Sequence, residues 1–345
     1  MLKGCLTALI TPLADGELDE RGLDMLVDFQ IQGGVSGILA VGTTGESPTL
    51  SWREHNLTTR MVAKRTRGKC LCMAGTGSNN TAETLEGTRE AAAHGAEAVL
   101  LVDPYYNGPS SLEIRREYVE PVARAFPGVQ VVPYVIPGRT GTRLLPQDVA
   151  ILADKYKNVS AVKEATGDAE SMRETRRLCG ESFTILSGDD PIILAMMKDP
   201  AIRASGAISV ISNVAPAAVV RMVEAVASGD LETAGRLEAA LAPLFNLVTV
   251  TTREETSFGE VSCRARNPLP IKTLMAVLGM PGGPCRPPLG RMTLQGFARV
   301  LDALKTVWEK NPEILTPVAD HFGLDLEKRI YDPKASRGLV YGSYE

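Results

Sequence analysis

Short apolar runs and helix-patterned stretches take turns along the first 230 residues of this chain, and that rhythm restricts its fold more than any other feature. The runs fall at residues 5–13, 37–42, 70–76, 98–104, 129–137, 159–166, 183–187 and 207–212. Helical periodicity occupies 20–32, 51–65, 81–94, 112–125, 146–156, 169–178, 191–198 and 216–227. Strands of a parallel sheet are covered on both faces and so read as nearly continuous apolar runs, and each needs a crossover, usually a helix, to reach the next. Ser51-Trp-Arg-Glu54 opens the second helix as a capping box, serine and glutamate each satisfying an amide that lacks a helical partner. Pro146, Pro191 and Pro216 suit first-turn positions. Eight strands, each followed by a helix, predict an α/β fold of the (β/α)8 TIM barrel kind. An open doubly wound sheet fits less well. No G-x-G-x-x-G turn follows the first strand, and reactive side chains recur after many strands instead of at one switch point.

Residues 1–230 thus read as the barrel and catalytic domain, and 231–310 as a C-terminal helical domain interrupted at 249–267 and 281–288. Residues 311–345 form a C-terminal tail of a composition that drapes over a neighbour or stays mobile.

Composition bounds the partners. In 345 residues, 44% hydrophobic and 23% charged, no stretch approaches the roughly 20 apolar residues of a transmembrane helix, and the start lacks a secretory leader. A cytoplasmic protein without membrane partners is expected. A net charge of −4 gives no basic footprint for nucleic acid and favours a small-molecule partner. Cysteines 5, 70, 72, 179, 263 and 285 are scattered, as buried free thiols are. Histidines stand only at 55, 94 and 321, none at a predicted strand end, which disfavours a histidine triad or a histidine-ligated metal. Asp189 and Asp190 lack further ligands nearby and suit a structural or substrate-polar role, so no metal is expected.

Barrel enzymes draw their reactive side chains from the carboxyl ends of the strands. The sixth run ends Val162-Lys-Glu-Ala-Thr-Gly167. A lysine there points into poorly solvated space, where desolvation lowers its pKa and frees the amine to attack a carbonyl. A lysine that snorkels to water or pairs with Glu164 is an equal alternative from spacing alone. Its company shifts the balance. The second run ends in Gly42-Thr-Thr-Gly-Glu-Ser47, whose hydroxyls and free amides can hold a carboxylate, although a plain polar turn is the commoner meaning of such a run. The fourth ends Asp103-Pro-Tyr-Tyr-Asn-Gly-Pro109, and the fifth Tyr134-Val-Ile-Pro-Gly-Arg-Thr-Gly141. Tyrosines, threonines and a lysine on one rim suggest a proton relay beside an amine nucleophile.

Together with Ser187-Gly-Asp-Asp190, Gly206-Ala-Ile-Ser-Val210 and Asn267-Pro-Leu-Pro-Ile-Lys272, these motifs resemble the dihydrodipicolinate synthase family, whose superfamily includes N-acetylneuraminate lyase; the similarity runs in order over residues 1–308. The resemblance implies a pyruvate-dependent, Schiff-base-forming lyase of lysine and diaminopimelate biosynthesis that condenses pyruvate with aspartate semialdehyde. It needs no cofactor beyond the covalent pyruvate imine on Lys163. By the same resemblance Tyr134 shuttles protons through Thr43 and the Tyr106 of an adjacent subunit. Thr44 holds the pyruvate carboxylate and Arg139 that of the semialdehyde, while Gly188 and Ile208 line the lysine pocket. A homotetramer built as a dimer of dimers follows from the family, as does an allosteric lysine site at His55, Asn79, Glu83 and Tyr105.

The chain departs from the family in three places. Val135 stands where the family has asparagine, which implies a less polar second-substrate pocket; residues 251–266 read as an insertion; and residues 311–345 exceed the family's usual length. A relative acting on another 2-keto acid or sugar acid, as aldolase or dehydratase, is the second reading, with Arg139 favouring the synthase. A barrel that binds keto acids without turnover is the third.

Overall fold

Four to six residues of each apolar run become a strand, and eight such strands close on one another in parallel. The computed structural model describes residues 2–345. The strands are β1 (Gly4–Ala8), β2 (Gly37–Ala40), β3 (Leu71–Gly75), β4 (Ala98–Val102), β5 (Gln130–Val135), β6 (Ala161–Glu164), β7 (Thr184–Ser187) and β8 (Gly206–Ser209). Strand β1 closes the ring, setting Gly4 against Gly206 on one side and Leu6 against Gly37 on the other. Each strand is followed by a helix: α1 (Glu20–Gln32), α2 (Trp52–Thr66), α3 (Thr81–His94), α4 (111–125), α5 (Pro146–Lys155), α6 (Ala169–Cys179), α7 (Ile193–Lys198) and α8 (Pro216–Ser228). The middle of α4, Ile114–Val119, is π-helical. Ser51 and Glu54 form the expected capping box at α2.

Side chains alternate across each strand. Leu6, Leu39, Met73, Leu100, Val132, Leu186 and Ile208 fill the barrel, while Cys5, Ile38, Cys72, Val99, Val131, Val162 and Ile185 face the helices. All six thiols are unpaired. No helix of the described residues is long and apolar enough to cross a membrane.

Several strands end earlier than their apolar runs, and each has a local cause. Strand β2 stops at Ala40 because Val41 turns to a φ of 49°, in the left-handed region. Strand β5 stops at Val135 because Pro137 starts the short helical turn Pro137–Thr140. Beyond β1 the backbone is taken over by Asn213, whose side-chain oxygen accepts from the Ile10 amide at 3.0 Å, and Leu13–Ala14 then pairs with Glu17–Leu18 as a small hairpin.

Past residue 230 come α9 (Leu231–Phe245), an antiparallel hairpin of β9 (Thr249–Thr256) and β10 (Gly259–Arg266), α10 (Leu269–Leu278), α11 (Leu294–Lys310), α12 (Thr316–Phe322) and α13 (Leu326–Ile330). The stretch that interrupts the helices is therefore a regular hairpin, in register from Thr249 against Arg266 to Thr256 against Gly259. Val250, Thr252 and Glu254 are its buried face. Residues 311–330 fold against their own chain. Ile314, Leu315, Val318, Leu326 and Ile330 join the core that holds Leu23, Leu26 and Phe29 of α1, and removal of these side chains from water drives the docking. The His321 ring lies 5.2 Å from that of Phe29.

Candidate active site

Strand alternation turns Ala161 inward with Lys163, and Val162 toward the helices. Lys163 is only 5% exposed. Burial drives its amine down from 10.5 to about 7, with Arg139 acting the same way and Asp190 and Asp189 opposing. A lowered pKa enlarges the neutral fraction of the amine, the state that attacks carbonyl carbon. Glu164 is no partner to it: its carboxylate accepts from the Thr166 hydroxyl at 2.9 Å. A Cβ at Gly188 would stand 2.9 Å from Lys163 Cε and 3.0 Å from Ala165 Cβ, so the absence of a side chain there makes room for the lysine. Ile208 adds a buried apolar wall to the barrel interior.

Tyr134 is the register partner of Lys163 on β5, and Lys163 Nζ lies 4.0 Å from its ring centroid. Burial pushes the phenol up to about 12, while Arg139, Thr43 and Arg266 favour its ionised form. A cavity of about 210 Å³ opens beside it, lined by Thr43, Tyr105, Tyr134, Arg139 and Thr140 among others. Lys163 does not line this cavity but lies against Tyr134, which does.

The turn after β2 carries Thr43 and Thr44 and is fixed from the far half of the chain. Glu46, left-handed at a φ of 57°, forms an ion pair with Lys272 of α10 at 2.7 Å, each side chain 1% exposed. Lys272 also donates to the Thr11 carbonyl at 3.1 Å and the Pro284 carbonyl at 3.0 Å, and Glu46 accepts from the Arg286 amide at 2.8 Å. All three ammonium protons are thereby used, as a buried charge requires. The Thr44 hydroxyl accepts from Asn267 Nδ2 at 2.9 Å.

Two arginines cross at the barrel mouth. Arg139 Nη2 donates to the Asn267 carbonyl at 3.1 Å, and Arg266 Nη1 donates to the Gly138 carbonyl at 3.0 Å. Each guanidinium thus bonds the residue beside the other. The sequence reading missed Arg266, Asn267 and the Glu46–Lys272 pair. Arg264-Ala-Arg266, spaced by two as on a strand, was the available signal for the first.

Asp190 accepts from the Ser209 hydroxyl and from the Val210 amide at 2.8 Å, a structural role; burial raises it to about 6. Asp103, following β4, accepts from the Leu144 amide at 3.0 Å through one oxygen while the other is buried without a partner. Burial and then Glu164 push it up to about 8, the Leu144 bond opposing.

The remaining predicted residues are dispersed. Tyr106 is 93% exposed with a φ of 82°, and it does not line the cavity that Thr43 and Tyr134 line. Asn79 and Tyr105 do meet, the Tyr105 amide donating to Asn79 Oδ1 at 2.7 Å. Glu83 accepts from the Ser78 hydroxyl at 2.6 Å. His55 is buried with one ring nitrogen 2.8 Å from the Gly75 carbonyl, the other without a partner, and its ring 4.9 Å from Trp52. The expected effect of Val135 on the second-substrate pocket is overturned: period-two alternation sends Tyr134 inward and Val135 into the helix-facing core.

A buried amine of lowered pKa, an adjacent phenol, a hydroxyl-rich turn and a guanidinium can together form an imine and move protons to and from it. Comparison with known proteins agrees. The model of the Dihydrodipicolinate synthetase family matches residues 1–307. The chain is 40% identical over 289 residues to the 4-hydroxy-tetrahydrodipicolinate synthase of Pelobacter propionicus, covering 84% of this chain and 93% of that one. To the protein of the same name from Geobacter sulfurreducens it is 39% identical over 305 residues, covering 88% and 98%. Among solved structures, the 4-hydroxy-tetrahydrodipicolinate synthase of Methylacidiphilum fumariolicum superposes with a TM-score of 0.83 at 33% identity, covering 92% of this chain and 99% of that one.

Proposed function

The chain belongs to the dihydrodipicolinate synthetase family, and we propose on that footing that it makes 4-hydroxy-tetrahydrodipicolinate, the product for which its relatives are named, from pyruvate and aspartate semialdehyde. It is a class I lyase of lysine biosynthesis, acting in the cytoplasm on small-molecule substrates. The observation that carries this reading is the buried Lys163 amine, driven to about 7 and lying 4.0 Å from the Tyr134 ring.

Lys163 attacks the keto carbon of pyruvate, water leaves, and the imine makes the methyl group acidic. Loss of a methyl proton gives an enamine, whose carbon attacks the aldehyde of the second substrate. The substrate's own amine then displaces Lys163 and closes the six-membered ring. Tyr134 carries the protons, coupled through Thr43 to a Tyr106 phenol from an adjacent copy; the outward, 93% exposed Tyr106 supports such an exchange. The assembly is a tetramer made as a dimer of dimers. Thr44, oriented by Asn267, and the nearby amides hold the pyruvate carboxylate, and Arg139 takes that of the semialdehyde. Lysine binds at His55, Asn79, Glu83 and Tyr105, of which Asn79 and Tyr105 are in direct contact.

A steady-state assay with pyruvate and a panel of aldehydes tests the reading. Turnover of aspartate semialdehyde is expected, and activity confined to sugar acids would remove the assignment.

A further inference from the structure

We infer that Arg266, at the root of the β9–β10 hairpin, is a second anchor for the carboxylate of the aldehyde substrate, sharing that anion with Arg139. The inference rests on the condensation described above and assigns a specificity role to a segment that the family resemblance leaves without one.

The hairpin fixes where Arg266 stands. It is the last residue of β10, paired in register with Thr249, and its Nη1 is held by the Gly138 carbonyl at 3.0 Å. Its Nε is buried without any hydrogen-bond partner. An orphaned, buried donor on a cation is unfavourable unless something else occupies the space in front of it.

Charge strengthens the case. Arg139 and Arg266 cross at the barrel mouth, Arg264 stands two residues before Arg266 on the same strand, and Arg139 is held below its ordinary range first by burial and then by the charges of Arg266 and Arg264. None of the three forms an ion pair among the described residues, whereas Arg143 and Arg253 pair with Asp168 and Glu260. Like charges gathered without a counter-ion repel, and an incoming anion relieves that repulsion. A carboxylate offers two oxygens, one for each fork. Arg266 also favours ionisation of the Tyr134 phenol, which places it within electrostatic reach of the reacting centre. The ligand class is therefore an aldehyde bearing a carboxylate, with neutral aldehydes left unanchored.

The test compares substrates in Arg266→Gln and Arg264→Gln. In Arg266→Gln, KM for aspartate semialdehyde should rise about 10- to 100-fold, the scale of a lost charge-assisted hydrogen bond, with kcat and KM for pyruvate nearly unchanged. Exposed Arg264, contributing through space alone, should give a rise of only about 2- to 5-fold on replacement. A semialdehyde KM within about twofold of the unaltered protein, or an equal rise for pyruvate, overturns the inference. Should Arg266→Gln disturb the hairpin, Arg266→Lys keeps the charge without the fork: an intermediate KM supports the anchor, and an unchanged one overturns it. Borohydride trapping of pyruvate on the unaltered protein separates the two levels. An adduct with unchanged KM in the variants overturns this inference alone, and no adduct overturns the condensation along with it.

Discussion

Tyr134 and Lys163 face each other across adjacent parallel strands, with the amine 4.0 Å from the ring centroid. The proposed nucleophile and proton carrier are thereby set by strand register, the least adjustable relationship in a closed sheet. Each should be removable without loss of the fold.

Lys163→Ala should abolish the borohydride-trapped pyruvate adduct, read as an unchanged intact mass, while circular dichroism stays that of the unaltered protein. Imine formation in the unaltered protein should rise with pH through about 7, the point to which burial drives this amine. A pH-independent trapping rate across that range would refute the assignment.

Tyr134→Phe should lower kcat by about 10²-fold or more while the pyruvate adduct still forms, because a proton carrier is lost and the nucleophile is kept. Single-turnover trapping beside steady-state rates distinguishes the two steps.

Gly188→Ala should slow imine formation in a folded barrel. The added Cβ would lie 2.9 Å from Lys163 Cε, which must move aside and carry the amine with it. A trapping rate equal to that of the unaltered protein would show that the lysine stem adapts freely.

Glu46→Gln or Lys272→Met should destabilise the protein by about 3–5 kcal/mol, since either leaves its former partner charged and buried. Urea denaturation reads this directly. Replacing both residues with apolar ones should recover part of the loss.

Stability should fall as pH rises toward 8 through Asp103. Its folded pKa is raised from 3.8 to about 8, so the folded chain binds more protons between these values. The carboxyl's contribution is complete below about 4 and lost as pH climbs through 8. Asp103→Asn should flatten this slope, and a Tm difference from the unaltered protein that stays constant between pH 5 and 8 would argue against it.

Much of this architecture was legible in the sequence because apolar runs of strand length, separated by helical patterns, have few other meanings. Lys163 was legible for a related reason: a cation at the end of a buried strand is anomalous. Strand ends were not, since they depend on single events such as the φ of 49° at Val41. The place of Val135 is not legible from its motif, since alternation along the strand decides which side chains reach the barrel interior. The β9–β10 hairpin escaped notice because Thr252 and Glu254 occupy two of its buried positions, so its inward face does not read as apolar. Arg266 went with it. Glu46 and Lys272 lie 226 residues apart, and no local pattern announces their pairing.

That pairing limits how the chain can be taken apart. The turn carrying Thr43 and Thr44 belongs to the barrel, yet its clamp is supplied by α10, Pro284 and Arg286. A gene fragment ending near residue 230 would encode a complete ring of strands whose second loop had lost its brace. Such a fragment is not a portable module, and grafting or swapping the later helices with those of another barrel would have to preserve the lysine that reaches back.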